Sequence, residues 1–298
     1  MLNGFLLVHK PFGPTSFDVV RHVQRCLGIK KIGHAGTLDP AASGLLVIAV
    51  GAATRMLEIL PTEPKTYDFG IRFGSETDTL DSEGAVVRNG GRIPLEVELE
   101  AALKQFLGTM MQMPPRYSAK KIQGKRAYDL ARSNIEFTLQ PREITIEQLE
   151  LKHFDIQTGE AVCTVCCSTG TYVRSLVRDI ALYLTIFAYA SFIHRSTVGP
   201  FMLKDAIPLS ALDASFAVQQ LIPVKTMFVS VPAVIVNGQQ CDLLSHGMSI
   251  PLSMEFQELP MLIAYDEKGE VAAVLKKDCN GLFHPDKVFL LQEPNTPQ

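Results

Sequence analysis

A single carboxylate stands in the glycine-rich stretch GHAGTLDPAASG, residues 33 to 44. Asp39 is held between Gly36 and Pro40, which restrict the backbone on either side of it. The stretch lacks the Lys and Ser/Thr of a P-loop, a full GxGxxG, and a GxSxG around Ser43. An Asp before a proline is often only a turn former. The chemistry open to this stretch is that of one ionised carboxylate fixed in place.

A second candidate is the segment STGTYVRSLVRDI, which begins at Ser168. Its apolar residues fall at helical spacing and predict an amphipathic helix that begins at Thr171. Arg174 lies in the first turn, where free backbone amides and the positive end of the helix dipole also point outward. This arrangement suits the binding of a carboxylate or a phosphate.

A third candidate is the basic segment RYSAKKIQGKRAYDLAR, residues 116 to 132, in which Asp129 is the only acid. The chain as a whole has a net charge of -3 and a pI near 6.2, so a polyanion would have to be bound by a local patch. Two interpretations are open from charge alone: a solvated face and a phosphate-binding patch.

Metal chemistry is disfavoured by the spacing of the possible ligands. Cys163, Cys166 and Cys167 have no second CxxC, and strand alternation puts Cys163 and Cys167 on one face, so we expect core cysteines. An EF-hand alignment of the acidic loop SETDTLDSEG places Thr79 at position 1 and Gly90 at position 12, where calcium needs carboxylates. We predict no metal and no cofactor.

Composition bounds the class of protein. The chain has 298 residues, of which 47% are hydrophobic, enough for a large core and two domains. The apolar run 180–193 is shorter than the roughly 20 residues that span a bilayer, and the N-terminal MLNGFLLVHK lacks a basic leader. A cytoplasmic location and no membrane association are expected.

Several elements are predicted around these candidates. A strand at 4–8 precedes a helix that Thr15 or Ser16 caps and Gly28 ends, and Leu45 to Val50 fits either a buried strand or the start of a helix. Strands are expected at 67–73, 85–88, 144–154 and 161–167, with an amphipathic helix at 95–107. Beyond residue 229, short strands with turns at AsnGly 237 and LysGly 268 predict a small all-β module without a long helix.

Four segments in order resemble one family. GHAGTLDPAASGLL, KTYDFGIRFGSETDTLDSEG, QMPPRYSAKKIQGKRAYDLAR and STGTYVRSLVRDI are similar to motifs of the TruB family of pseudouridine synthases, and the likeness runs from Gly4 to Phe201. The resemblance implies an α+β fold for residues 1–229, with a mixed, largely antiparallel central sheet and flanking helices. Residues 230–298 resemble, more weakly, the β-barrel-like PUA RNA-binding domain.

The resemblance also implies roles for single residues. Asp39 matches the nucleophile in the reaction that detaches uracil from its ribose, rotates it and rejoins it through carbon 5. Tyr172 matches the residue that manages the proton of the isomerised base, and Arg174 matches the partner of the carboxylate. Tyr67 matches the aromatic residue that stacks on the base, and His34 lies in the motif that holds the RNA.

Further contacts follow from the same resemblance. Lys10, in the family's N-terminal KP, and Ile193 are expected at the substrate. The basic segment matches an insertion that closes over an RNA stem-loop, with Arg116, Lys120, Lys121, Lys125 and Arg126 on phosphates. The implied activity is the isomerisation of uridine 55 in the T-loop of tRNA by a monomer. His9 and the stretch TIFAYASFIHRSTVGPF at 185–201 depart from the family pattern, but the Asp39 motif does not.

Two alternatives remain open from the sequence. One is a non-catalytic protein that binds or folds tRNA on the same scaffold. The other is a hydrolase of a glycosidic bond that uses Asp39 with Asp78 or Asp81, which requires two carboxylates about 5 to 9.5 Å apart.

Overall fold

The structure is a computed structural model that describes residues 2–117, 121–122, 125–126, 135, 137–228, 231–256, 258–278 and 280–289, with only the backbone for 121–122 and 125–126. Five α-helices are described: α1 Ser16–Leu27, α2 Glu96–Lys104, α3 Val173–Tyr183, α4 Ala214–Gln219 and α5 Gly238–Ser245. The strands are β1 Gly4–Lys10, β2 Ile32–Ala35, β3 Ala42–Val50, β4 Lys65–Phe73, β5 Ser75–Thr77, β6 Val86–Asn89, β7 Gly108–Gln112, β8 Lys121–Ile122, β9 Lys125–Arg126, β10 Arg142–Asp155, β11 Glu160–Cys167, β12 Ala188–Val198, β13 Phe201–Met202, β14 Ile207–Pro208, β15 Ala233–Ile235, β16 Met261–Tyr265, β17 Val271–Lys277 and β18 Phe283–Val288.

A mixed sheet forms the centre of the fold. Its order is β14-β1-β3-β12-β4-β11-β10-β7, with β13 added to β12 and β2 added to β3. The pairs β1–β14 and β3–β12 are parallel, and the other pairs in this sheet are antiparallel. The prediction of a mixed, largely antiparallel central sheet with flanking helices is therefore confirmed.

Two apolar clusters cover different parts of this sheet. One joins α2 and α3 to β4, β10, β11 and β12, and it contains the buried thiols of Cys163 and Cys167. Burial raises the pKa of Cys163 to about 12 and that of Cys167 to about 11, so both stay protonated. The prediction of core cysteines is confirmed for Cys163 and Cys167, whereas Cys166 is only partly buried. The other cluster packs α1 and α4 on β1 and β3.

Helix α1 begins and ends as its sequence predicts. The Thr15 hydroxyl accepts a hydrogen bond from the Asp18 backbone N–H, and the Asp18 carboxylate accepts one from Thr15 N–H, which is a capping box. Gly28 follows the helix with a φ of 66°, a left-handed conformation that suits glycine. The segment Leu45 to Val50, for which two structures were open, is a strand within β3.

Two sequence predictions were wrong in part. Helix α3 begins at Val173 rather than at Thr171, because Tyr172 is its N-cap residue with an extended backbone. The C-terminal part is not all β, because Asn237 begins helix α5 instead of forming a turn. The Asn237 side chain accepts from the Gln240 backbone N–H in a capping box. The hairpin turn at Lys268 and Gly269 is as expected.

Residues after 230 form a second sheet, in the order β15-β16-β17-β18, with an apolar cluster of its own. Ile263 and Val274 of this sheet also join a cluster with Phe5, Met227 and Phe228, so the two sheets share part of the core. Among the described residues, no helix is both long and apolar enough to cross a lipid bilayer.

Candidate active site

The loop that contains Asp39 is held by the first residue of helix α1. The hydroxyl of Ser16, which is buried, donates to the Leu38 carbonyl at 2.9 Å and accepts from the Leu38 N–H at 2.8 Å. On the other side, the Ala42 N–H donates to the Asp39 carbonyl at 3.0 Å. The backbone around Asp39 is therefore fixed by neighbouring hydrogen bonds on both sides.

Arg195 supports the same loop from strand β12. Its side chain is almost completely buried, with Nε donating to the Leu45 carbonyl at 2.8 Å and Nη2 donating to the Gly36 carbonyl at 3.0 Å. Gly36 has a φ of +79°, and a Cβ there would lie 3.0 Å from Lys65 Nζ. Glycine is required because the backbone is left-handed and the two cations lie close by.

The Asp39 carboxylate is paired with Arg174. Arg174 Nη2 lies 2.7 Å from Asp39 Oδ2, and the Arg174 side chain is 4% exposed whereas that of Asp39 is 34% exposed. Arg174 also donates to the carbonyl of Thr79 and to that of Tyr117, at 2.8 Å each. The guanidinium is thus fixed by several acceptors, while the carboxylate remains open to an incoming molecule.

Tyr172 is held through its backbone. Gln112, a buried residue at the end of β7, accepts from the Tyr172 N–H at 2.8 Å and donates to the Tyr172 carbonyl at 3.2 Å. Because Tyr172 is the N-cap of α3 and Arg174 lies in the first turn, this contact fixes the start of the helix that presents both residues.

These residues meet in one cleft of about 390 Å³. Asp39, Tyr67, Tyr172, Arg174 and Ile193, all predicted from the sequence, line it. Among the described lining residues Asp39 is the only carboxylate, whereas the cations there include Lys65, Arg142 and Arg195 in addition to Arg174. The cleft therefore combines one anion with an excess of positive charge.

Tyr67 forms part of the cleft wall and is buried. It pairs in register with Arg195 across β4 and β12, and the Arg195 guanidinium carbon lies 6.0 Å from the centre of its ring. Burial, more than any nearby charge, raises the pKa of the Tyr67 phenol. The ring is therefore neutral and presents an aromatic surface to the cleft.

His34 and Lys10 do not line the cleft. His34 lies on β2, and its buried Nδ1 has no hydrogen-bond partner among the described residues. Burial, followed by the charge of Arg195, lowers the pKa of His34. Lys10 is buried, with Nζ donating to the Pro11 and Pro40 carbonyls, so it supports the Asp39 loop.

Most of the basic segment, residues 116–132, lies outside the described residues. Lys120 lies outside the described residues, and Lys121, Lys125 and Arg126 are described only as backbone in the short hairpin β8–β9. Arg116 is exposed, outside the cleft lining, and its guanidinium lies over the ring of Phe137. Its contact with RNA stays a prediction.

The carboxylates named for a hydrolase line a neighbouring cavity. Asp78 and Asp81 line it together with Asp39 and Arg174, which line both cavities. Asp81 is buried, lies 3.3 Å from Arg174 Nη1 and accepts from the Thr79 hydroxyl and the Glu83 N–H. Among the described residues that line the cleft with Tyr67 and Tyr172, Asp39 has no second carboxylate beside it, so that cleft does not supply the pair that the hydrolase requires.

The departures from the family pattern also form contacts. His9 and His194 lie edge to face with ring centres 5.7 Å apart, and the Ser43 hydroxyl lies 2.8 Å from His194 Nδ1. Burial, followed by the charge of His194, lowers the pKa of His9. Neither histidine lines the cleft, whereas Ile193 and Arg195 of the same stretch do.

Several residues at the site were missed from the sequence. Ser16 was considered only as a helix cap and Arg195 only as part of a departure from the family pattern, whereas Gln112, Lys65 and Arg142 were not considered. Lys65 had a signal, because it is two residues before Tyr67, where a strand was predicted to begin. The observed strand β4 begins at Lys65, so the two side chains share a face. The hydrogen bonds of Ser16 and Gln112 join distant segments and leave no local pattern.

The chain is similar in sequence to known proteins. Residues 24–173 match the model of the TruB family pseudouridylate synthase (N terminal domain). A protein of Gluconacetobacter diazotrophicus named tRNA pseudouridine synthase B is 40% identical over 257 residues, which cover 84% of this chain and 83% of that protein. A protein of the same name from Geobacillus thermodenitrificans is 37% identical over 301 residues, which cover 97% of this chain and all of that protein (100%).

Solved structures are similar in fold. A chain in a Cbf5-Nop10-Gar1 complex has a TM-score of 0.69 at 24% identity, covering 96% of this chain and 85% of that one. A chain in an H/ACA RNP bound to a substrate RNA containing 2'-deoxyuridine has a TM-score of 0.67 at 21% identity, covering 97% and 85%. The fold is that of the pseudouridine synthases. The identity to the curated relatives further shows that the chain belongs to the TruB family.

Proposed function

We propose that this protein isomerises a uridine to pseudouridine in tRNA, and that its target is position 55 in the T-loop. The observation that supports the proposal most directly is the Asp39 carboxylate, fixed by Arg174 at 2.7 Å and open to the cleft. The relatives named tRNA pseudouridine synthase B point to the same activity and to tRNA as the substrate.

The chemistry requires little beyond this carboxylate. The bond between N1 of uracil and C1′ of ribose is broken and a bond from C5 to C1′ is formed, with no net oxidation and no transferred group. An ionised Asp39 can attack or stabilise the electron-poor centre that forms when the first bond breaks, and Arg174 balances its charge. We propose no cofactor and no metal for this reaction.

The residues around Asp39 have separate roles in the proposed reaction. A uracil in a folded loop must leave its stack before the ring can turn, and a stacking surface recovers roughly 1 to 3 kcal/mol per base. Tyr67 and Ile193 offer that surface in the cleft wall. Tyr172 manages the proton that C5 loses, and His34 and Lys10 support the loop that faces the base.

Affinity for tRNA is assigned to a different part of the chain. We propose that Arg116, Lys120, Lys121, Lys125 and Arg126 contact phosphates of the T stem-loop.

We further propose that residues 230–298 form a PUA-like RNA-binding domain that follows a catalytic domain of residues 1–229. The separate sheet β15–β18, with its own apolar cluster, supports that division. We propose that the protein acts as a monomer, and that its location is the cytoplasm, where tRNA is found.

The substitution Asp39→Asn tests the proposal, because it keeps the shape of the side chain and removes its charge. We expect product formation to fall below detection while tRNA binding stays within about threefold, since phosphate contacts dominate affinity. Asp205→Asn, an exposed Asp outside the cleft, is the matched control and should retain full activity. Pseudouridine is mapped in tRNA after incubation with each purified protein. Turnover by Asp39→Asn would exclude the mechanism, and tRNA binding without product by the unaltered protein would favour the non-catalytic alternative.

A further inference from the structure

Lys65 is a buried lysine in the cleft, without a side-chain partner in the described part of the chain. The residue is 6% exposed, yet it lines the cleft beside Tyr67. Among the described residues, no acceptor lies within hydrogen-bond distance of Lys65 Nζ and no carboxylate lies within 4.0 Å. Buried charges in proteins are normally paired, so a cation left unpaired at a cleft wall indicates a ligand that supplies the partner.

The position of Lys65 relative to Tyr67 defines where that ligand lies. The two residues are separated by one position on β4, so their side chains leave the same face of the strand about 7 Å apart. Opposite Lys65 is Gly36, where a Cβ would lie 3.0 Å from Lys65 Nζ. A base stacked on the Tyr67 ring would therefore turn an edge towards the Lys65 ammonium.

Other charges around Lys65 do not neutralise it. Arg195 and Arg142 are also cationic, and Arg195 is committed to the Leu45 and Gly36 carbonyls. Glu63, whose carboxylate raises the pKa of Lys65, accepts a hydrogen bond from the Thr169 N–H. The ammonium therefore faces the cleft as an electrostatic site for developing negative charge.

We propose that Lys65 is a catalytic residue that donates a hydrogen bond to a carbonyl oxygen of the target uracil, O2 or O4, and stabilises the base while it is detached. This inference rests on the proposed function and assigns a second charged group to the same reaction. Asp39 would act on the ribose or base side of the broken bond, and Lys65 on the negative charge of the departing ring.

The electron balance explains why such a group is needed. When the N1–C1′ bond breaks, its electron pair stays on the uracil, whose negative charge is shared by N1, O2 and O4. The positive charge left at C1′ is neutralised by Asp39, as an ion pair or a temporary ester. After the ring turns, C5 supplies the electron pair for the C1′–C5 bond, C5 loses its proton and N1 gains one. Lys65 keeps its proton throughout and donates only a hydrogen bond.

Two variants test this role. Lys65→Met keeps the length of the side chain and removes the donor, and Lys104→Met makes the same change at an exposed position on α2. We expect the single-turnover rate of Lys65→Met on a T stem-loop RNA to fall about 10²-fold or more, the typical loss for one such donor. Its dissociation constant should change less than about threefold, because one neutral base edge adds little to phosphate-dominated affinity. Lys104→Met should match the unaltered protein in both.

Substrates with sulfur in place of one base oxygen give a readout that a structural role would not move. Sulfur accepts hydrogen bonds weakly. RNA with 2-thiouridine at the target replaces O2, and RNA with 4-thiouridine replaces O4. The unaltered protein should react more slowly with the RNA in which sulfur replaces the oxygen that Lys65 contacts. Lys65→Met should show no such difference. If neither thio substitution slowed the unaltered protein, the proposal would be overturned, and this arm stands even if Lys65→Met folds poorly. Equal thio effects in both proteins would also overturn it.

A phosphate contact is the competing explanation. In that case Lys65→Met would weaken binding of an abasic stem-loop as strongly as binding of the uridine stem-loop, and the single-turnover rate at saturation would be unchanged. That result would also overturn the proposal. If the unaltered protein forms no pseudouridine, the proposed function itself fails. If the unaltered protein forms pseudouridine, Asp39→Asn forms none and Lys65→Met is fully active, only the inference about Lys65 fails.

Discussion

At the scale of single residues, the surroundings of Asp39 contain two buried lysines without a contacting carboxylate among the described residues. Lys10 donates to two backbone carbonyls, and Lys65 faces the cleft. Burial lowers the pKa of each from 10.5 to about 8. Asp39 and Glu83 oppose this shift at Lys10, whereas Arg195 adds to it at Lys65. The fold therefore bears the cost of two partly desolvated cations, which is typical of a functional site.

The stability of the protein should consequently depend on pH in the alkaline range. Below pH 8 each lysine is charged both in the fold and in the unfolded chain, so the burial cost is present in full. Between pH 8 and about 10.5 the unfolded chain binds more protons than the fold, so the free energy of unfolding rises with pH. Each lysine adds at most about 1.4 kcal/mol per pH unit.

Urea unfolding at pH 7.5, 8.5 and 9.5 measures this rise, with Lys65→Met and Lys104→Met compared to the unaltered protein. We expect the contribution of Lys65 to disappear in Lys65→Met and to persist in Lys104→Met. An identical pH dependence in all three proteins would mean that Lys65 titrates normally in the fold.

Some residues at the site could be predicted from the sequence, and others could not. Asp39, Tyr172 and Arg174 could be predicted because each belongs to a short motif whose residues lie together in the chain. Arg195 and Gln112 could not be predicted as site residues, because their functions are hydrogen bonds to segments 60 to 159 positions away. Such contacts depend on the order of strands in the sheet, which no local pattern determines.

At the scale of elements, the start of helix α1 combines two tasks in neighbouring residues. Thr15 is exposed and caps the helix, whereas Ser16 is buried and binds both backbone groups of Leu38, next to Asp39. The helix could be predicted from its caps and apolar spacing. The contact with the Asp39 loop could not, because the same serine also fits the capping role.

Substitution of these two neighbours should separate stability from activity. Thr15→Ala removes the cap and should lower the free energy of unfolding by about 1 kcal/mol with little change in turnover. Ser16→Ala leaves the buried N–H and carbonyl of Leu38 without this partner, at a cost of about 1 to 3 kcal/mol. It should also reduce the single-turnover rate on the order of tenfold to hundredfold, because the Asp39 loop loses its anchor.

Thermal unfolding and single-turnover assays of both variants at one temperature, well below either midpoint, distinguish these effects. Loss of rate in proportion to loss of stability in both proteins would mean that Ser16 contributes only to the helix.

At the scale of the whole molecule, charge is unevenly divided along the chain. Residues 1–229 contain 24 Lys and Arg against 22 Asp and Glu, whereas residues 230–298 contain four lysines, no arginine and nine Asp and Glu. The C-terminal sheet is nevertheless joined to the first domain through a shared apolar cluster that includes Ile263, Val274 and Phe228. The RNA contacts proposed for these acidic residues 230–298 should therefore depend on shape and hydrogen bonds more than on phosphates.

Removal of three positive charges from residues 1–229 or from residues 230–298 tests which part of the chain binds phosphates. The triple variant Lys121→Gln, Lys125→Gln, Arg126→Gln should weaken tRNA binding at low salt by tenfold or more. It should also reduce the slope of log affinity against log salt by up to about 0.7 to 0.9 per lost phosphate contact. The matched variant Lys268→Gln, Lys276→Gln, Lys277→Gln should change both quantities much less, because its charges lie among a surplus of acids.

Dissociation constants for full-length tRNA over a salt series measure both effects, and single-turnover rates at saturating protein show that the cleft is intact in each variant. Since the role proposed for the basic segment is in encounter and affinity, its loss should leave the rate at saturation nearly unchanged. If the C-terminal variant lost as much salt dependence as the other, phosphate binding would belong to the terminal module despite its net negative charge. The basic segment would then be a solvated face.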